Sequence, residues 1–151
     1  MGAGTKQGKL YSVEGIAAVV GLAACLLLTA YIAVTVGQQQ PIWPLPGVYF
    51  VEVVLLAAAA AWGIWVATPG GSAQAWAAVG AMLGFAVIGG FSVGLYYLPI
   101  VALLGLAALW RDRSWGWRRL PLHVIVTLVA AWAQATLMLA LIRLLAPNTA
   151  L

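Results

Sequence analysis

Charged residues are almost absent from long stretches of this chain, and this absence constrains the fold more than any other feature. Of the 151 residues, 7% are charged and 65% are hydrophobic, whereas about a quarter are charged in soluble domains. The basic residues concentrate in a tail holding Lys6 and Lys9 and in a segment over residues 111–119, which is predicted to form a loop. Between them lie apolar runs close to the ~20 residues that a helix needs to cross a bilayer. The sequence therefore predicts a membrane protein.

The apolar runs are continuous, which favours helices over a barrel. Backbone groups in hydrocarbon must bond within the protein, so only helices and closed barrels cross a membrane. Barrel strands alternate apolar and polar residues, whereas residues 16–36 show no such alternation. We predict an all-α, polytopic transmembrane helical bundle, one domain over residues 1–151, with short tails at 1–11 and 147–151.

Turn-forming residues place the first two spans. The first is predicted from residue 12 or 15 to residue 36, with Ser12 as N-cap. It is followed by Gly37, three glutamines and Pro41, which oppose a longer helix. Because this apolar run exceeds the core of a typical signal peptide, we expect it to be retained. The second span is predicted over residues 48–67, before the Pro69-Gly70-Gly71 turn.

The segment from residue 73 to residue 110 has no charge and is too long for one span. A single helix of about 38 residues would be roughly 57 Å long, nearly twice the hydrocarbon thickness. Gly89, Gly90 and Ser92 favour a reversal, and Pro99 suits the first turn of a new helix. We predict a short hairpin of spans 73–88 and 93–110, then a fifth span over 121–146. The alternative is four spans with a long, kinked third helix.

The basic residues predict the orientation, because cytoplasmic segments are enriched in lysine and arginine. Both clusters are expected on the cytoplasmic side, which five spans allow and four do not. The same residues are candidates for contacts with lipid headgroups: Lys6, Lys9, Arg111, Arg113, Arg118 and Arg119. Asp112 is expected to pair with Arg113 or Arg119. We predict a multi-pass protein of the cell membrane, of the bacterial inner-membrane type, with a cytoplasmic N-terminus.

A few polar residues inside the spans form a candidate intramembrane polar site. Glu52 is the one acidic residue predicted within a span, and intramembrane carboxyl groups can carry protons or cations. His123, Thr127 and Gln134 follow helical spacing and are predicted to share one face of the last helix. That face is expected to point into the bundle, where polar side chains bond between helices.

Small residues at helical spacing predict close packing between helices. The candidates are Gly21, Gly63, Gly80 and Gly84. Cys25 lies in the middle of the first span and is expected to be a small packing residue. The eight tryptophans are expected to lie mainly at the membrane interface, with one deeper ring.

The chain carries no phosphate-binding glycine loop, no paired cysteines and no His-Glu-x-x-His motif. We therefore predict no catalytic residue, no metal site and no cofactor. Nucleic-acid binding is not expected either, because no basic patch is interleaved with an aromatic platform.

Three functions are consistent with this pattern. The favoured one is a non-catalytic accessory or scaffold subunit that packs with other membrane proteins, lipids or pigments, in a complex or as a homo-oligomer. The alternative is a small oligomeric carrier or channel that uses Glu52 and the polar face of the last helix. The third is a membrane redox or lipid enzyme in which the arginines hold an anionic group beside His123.

Overall fold

The computed structural model describes residues 12–39, 41–43, 46–66, 68–89, 93–115 and 117–145. All the regular elements in these residues are helical, and five helices are long and apolar enough to cross a membrane. They are α1 (Val13–Gly37), α2 (Gly47–Val66), α3 (Pro69–Ile88), α4 (Leu98–Trp115) and α5 (Leu120–Leu145). Single 3₁₀ turns, Gly94–Tyr97 and Trp117–Arg119, precede α4 and α5. The predicted five-span helical bundle is thus confirmed.

Side-chain caps fix the starts of two helices. The Ser12 hydroxyl accepts a hydrogen bond from the Gly15 amide at 3.2 Å, as expected for an N-cap. Thr68 caps α3 in the same way through the Gly71 amide at 3.0 Å, and Pro69 occupies the first turn. The third span therefore begins at Pro69 and not at residue 73, because Gly70 and Gly71 are part of the helix.

The reversal between α3 and α4 depends on the close approach of two glycines. α3 ends at Ile88 with Gly89 as its C-cap. A Cβ atom on Gly94 would lie 2.5 Å from the Gly89 carbonyl carbon, so only glycine fits there. Gly90 and Ser92, which were predicted to help the reversal, lie outside the described residues.

α3 is the central helix, and the other helices pack around it. It contacts α2, α4 and α5, while α1 packs on α2 and α4. α5 packs almost entirely on α3, and so it is the least buried of the five spans. The largest fully buried side chains come from four helices and a 3₁₀ turn: Tyr97, Phe85, Ile64, Met82, Leu104, Val53 and Cys25.

α4 extends further than predicted and continues through the first basic residues. It ends at Trp115, so residues 111–115 are helical and are not part of a loop. An ion pair links this end of α4 to the start of α1, with Arg111 Nη1 3.6 Å from Glu14 Oε1. The beginning of α1 and the end of α4 therefore share one end of the bundle, here called the basic end.

Candidate functional site

A buried polar cluster, the Asp112 cluster, lies at the basic end where α3, α4 and α5 meet. It consists of Ser72, Trp76, Asp112, His123 and Thr127. The Asp112 carboxylate is at its centre: Oδ1 accepts from the Ser72 hydroxyl, and Oδ2 accepts from Trp76 Nε1 at 2.8 Å. Oδ2 also accepts from Nδ1–H of His123. One carboxylate thus joins three helices.

Residues near His123 fix the position of its ring. The imidazole stacks on the Trp76 ring with the centroids 6.1 Å apart. Thr127 lies one turn further along α5, and its hydroxyl is 2.9 Å from the His123 carbonyl oxygen and 3.3 Å from that of Trp76. His123 is only 2% exposed. Its ring is therefore held on two sides, by the carboxylate and by the indole.

The partners of Asp112 correct the expectation from the sequence, which paired it with Arg113 or Arg119. Asp112 is buried, whereas both arginines are exposed. Because residues 111–115 continue the helix, the Asp112 side chain is on the face of α4 that meets α3 and α5. The carboxylate finds neutral donors and a histidine there, and these satisfy more of its oxygen lone pairs than one arginine would.

The basic residues take different positions at this end. Arg111 pairs with Glu14, while Arg113, Arg118 and Arg119 are exposed. Lys6 and Lys9 lie outside the described residues, as does the predicted tail at 147–151. Among the described residues, no hydrogen bond or ion pair joins these exposed arginines to His123, whose side chain is buried.

Two of the predicted packing glycines hold α3 and α5 together. A Cβ atom on Gly80 would lie 2.3 Å from the Thr127 carbonyl oxygen, and one on Gly84 would lie 2.4 Å from that of Ala131. Since both pairs advance by four residues, α3 and α5 run in the same direction with their backbones in contact. This contact brings His123 to the level of Trp76.

The other two predicted glycines lie at different interfaces. Gly63 on α2 meets the backbone of Gly71 and Ala75 on α3, with a Cβ distance of 2.4 Å to the Gly71 oxygen. Gly21 on α1 faces the side chain of Leu104 on α4. Cys25 is fully buried between α1 and α2, and its thiol lies 3.8 Å from the Val53 carbonyl oxygen.

The predicted polar face of α5 divides into two parts. His123 and Thr127 belong to the Asp112 cluster, whereas Gln134 lies about 16 Å further along the helix than His123. Gln134 lines a groove of about 420 Å³ between α2 and α5, with α3 as its floor. The groove continues past Leu56 and Ala59 into a second part of about 520 Å³ that Glu52 lines. The two parts together are called the lateral groove.

Glu52 and Gln134 lie on different walls of the lateral groove, Glu52 on α2 and Gln134 on α5. The reference point is the hydroxyl of Tyr49 on α2, which donates to the Met138 carbonyl oxygen on α5 at 3.4 Å. From this contact toward the basic end, Glu52 is three residues along α2 and Gln134 is four residues along α5. Spacings of three and four keep each residue on the face of its starting point. The two side chains therefore lie within about one helical turn of the same depth, in adjoining parts of the groove.

One buried polar atom of each of these two side chains has no hydrogen-bond partner. Glu52 Oε2 and Gln134 Nε2 are the buried side-chain atoms without a hydrogen-bond partner among the described residues. The sequence predicted both residues as polar site candidates but did not place them in one groove. Their place in one groove depends on how α2 and α5 meet α3, which helical periodicity does not specify.

The contacts seen at these sites are hydrogen bonds. Among the described residues, no group of three or more histidine, cysteine, aspartate or glutamate side chains is placed to hold a metal ion. The Ser72 hydroxyl donates to Asp112, and the hydrogen bonds of the described residues do not join it to His123. No family model, curated protein or solved structure matches the chain.

Proposed function

We propose that this chain is a non-catalytic scaffold subunit of a membrane assembly, in which the outer face of α5 packs against another membrane protein. The observation that carries the proposal is the position of Trp132. It lies near the middle of the 26-residue helix α5 and is 71% exposed. Tryptophans that face lipid belong at the interface, where the indole N–H reaches headgroups and water. A partner protein would pack against this mid-membrane ring and supply a hydrogen-bond acceptor for its indole N–H.

The rest of α5 supports a covering partner. The helix packs almost entirely on α3 and is the least buried span. Its remaining surface carries large apolar side chains along nearly its whole length: Leu122, Val124, Ile125, Leu128, Val129, Leu137, Leu139, Ile142 and Leu144. This surface is long enough for a partner helix to pack along it, but lipid tails are as apolar as these side chains, so Trp132 is the residue that points to a protein.

The Asp112 cluster supports a structural role at the other side of the same helix. Its donors and its carboxylate are used to hold α3, α4 and α5 together. α5 is thereby fixed by its inner face and remains free to present its outer face. This arrangement suits a subunit that positions a partner.

The test is native mass spectrometry of protein extracted under mild conditions from its own membrane. The wild type is expected to leave the membrane in an assembly with a second protein, and Trp132→Leu is expected to release the chain. Trp110→Leu is the matched control, because Trp110 is also exposed but lies near the end of α4. A free protomer or a homo-oligomer in several mild detergents would contradict the proposal, as would an assembly that Trp132→Leu leaves intact.

A further inference from the structure

The lateral groove holds two unpaired polar atoms in a region where such atoms are costly. Gln134 is 7% exposed, lines the groove and has a free Nε2. Glu52 Oε2 is buried and also has no partner. Neither lipid tails nor the surrounding alanines offer a hydrogen bond, and an unsatisfied polar group in hydrocarbon is strongly unfavourable. The two atoms therefore indicate a polar group that enters from outside the chain.

The chemistry of the two side chains identifies that group. The amide Nε2 of Gln134 donates, and a carboxylate oxygen of Glu52 accepts. A hydroxyl group both donates and accepts, so one hydroxyl between the two side chains can satisfy both. A ligand that carries a carboxylate suits the groove less well, because two neighbouring carboxylates repel each other.

The shape of the groove indicates what carries the hydroxyl. Glu52 lies five residues from the start of α2, roughly 7 Å into the span. From there the groove continues toward Ala59, a further seven residues or roughly 10 Å along the helix. Its walls toward the basic end include Gln74, whose Nε2 donates to the Ala59 carbonyl oxygen at 3.2 Å. The other walls are apolar and mostly small: Ala59, Ala77, Ala78, Ala81, Ala130 and Ala133. Glu52 and Gln134 are thus followed along the groove by a mostly apolar wall, which is the arrangement that a lipid with one polar group and an apolar chain needs.

We propose that the lateral groove binds a long-chain alcohol of the bilayer, with its hydroxyl between Glu52 and Gln134 and its chain along the alanine walls. The two parts, about 420 and 520 Å³, have the size of small-molecule sites. The groove is open toward the side of the bundle, so the alcohol enters from the membrane. This site is separate from the outer face of α5 and does not depend on the scaffold role.

The experiment is photo-crosslinking of the full chain in phosphatidylcholine nanodiscs. The probe is a 16-carbon primary alcohol with a diazirine near its middle, and the comparison probe is its methyl ether, which cannot donate. Labelled positions are read by mass spectrometry of peptides. The alcohol is expected to label α2 and α5 at the lateral groove at least fivefold more than the ether does.

Two variants and a second groove test whether labelling depends on the contacts between the hydroxyl and these two side chains. Glu52→Leu with Gln134→Leu is expected to reduce labelling by the alcohol to the level of the ether, because the hydroxyl loses both partners. Thr136→Ala is the control, since its hydroxyl bonds within α5 to the Ala133 carbonyl at 2.8 Å. An apolar groove between α1 and α2, lined in part by Ala18, Ala58 and Trp62, should label equally with both probes.

The double variant removes unpaired polar atoms, so it is expected to fold, and circular dichroism with gel filtration verifies this. If it does not fold, Gln134→Leu alone is used, and a twofold or larger loss of labelling by the alcohol is expected. Equal labelling by the alcohol and the ether would overturn the proposal. Crosslinks between protomers at the groove, with no labelling by the alcohol, would overturn it in favour of a second copy of the chain.

Discussion

His123 Nδ1 donates to Asp112 Oδ2, and this one contact connects the start of α5 to the end of α4 inside the protein. The two residues are separated by the 3₁₀ turn Trp117–Arg119, so the hydrogen bond closes a short loop between consecutive spans. Trp76 and Ser72 extend the contact to α3. The basic end is therefore held together by a polar group, whereas the opposite end depends mainly on apolar packing.

Removal of the Asp112 carboxylate is expected to destabilise the bundle. Asp112→Ala leaves the Ser72, Trp76 and His123 donors buried without an acceptor, which we expect to lower the free energy of unfolding by about 3 kcal/mol. The measurement is unfolding by sodium dodecyl sulfate in mixed micelles, followed by circular dichroism. Glu14→Gln is the control, because its ion pair with Arg111 is less enclosed and should contribute less than about 1 kcal/mol. Similar losses for both variants would show that Asp112 does not connect the helices.

The contact between α3 and α5 is expected to tolerate no side chain at Gly80. Gly80→Ala would place a methyl group 2.3 Å from the Thr127 carbonyl oxygen, and the forced separation should cost about 1–3 kcal/mol. Gly105→Ala is the matched control on α4, where a Cβ atom meets only Val79 Cγ1 at 3.5 Å. This control should be neutral or stabilising by up to about 1 kcal/mol, because alanine favours the helix. The same unfolding measurement applies, and equal effects of the two variants would contradict the packing described.

The hydrogen bond between Thr29 and Tyr97 is expected to contribute to the position of the turn before α4. Their hydroxyl oxygens lie 2.9 Å apart and both residues are buried. A double-mutant cycle with Thr29→Val and Tyr97→Phe should give a coupling energy of about 1 kcal/mol, typical of interhelical bonds in membranes. Thr35→Val should show no coupling to Tyr97→Phe, because the Thr35 hydroxyl bonds to its own helix. A coupling energy of zero for Thr29 and Tyr97 would exclude this role.

The orientation predicted from the basic residues can be tested with single cysteines. In a Cys25→Ala background, Gly70→Cys is expected to react with a membrane-impermeant maleimide only from the cytoplasmic side. Gly70 lies in the first turn of α3 with no atom near its Cβ position, so the substitution is sterically free. Gln39→Cys, at the exposed turn after α1, is expected to react only from outside. Reaction of both positions from one side would contradict an α1–α2 hairpin that crosses the membrane twice.

The helices were largely predictable because their ends are encoded locally. Ser12 caps α1 as expected, and Gly89 is the C-cap of α3. The start of α3 was placed too late because Gly70 and Gly71 were interpreted as a turn. They are helical since Gly71 packs on Gly63 of α2, and a contact between two helices is not visible in a local pattern.

The candidate polar sites were predictable as residues but not as partners. The face that holds His123, Thr127 and Gln134 follows from helical spacing alone. Asp112 was assigned to neighbouring arginines because charge balance is the simplest local explanation. Its actual partners come from α3 and α5, and they are close only because α4 continues to Trp115. The position of Glu52 and Gln134 on two walls of one groove likewise depends on how three helices are arranged.

The parallel contact between α3 and α5 also has a consequence for biosynthesis. A chain is made from its N-terminus, so α3 enters the membrane before α5 has been translated. Until then the backbone at Gly80 and Gly84 is uncovered, and Asp112 lacks its histidine. Once α5 is inserted, it covers Gly80 and Gly84 and also brings His123 to Asp112. A chain that ended after α4 would thus leave a glycine-lined surface uncovered and Asp112 without its histidine partner.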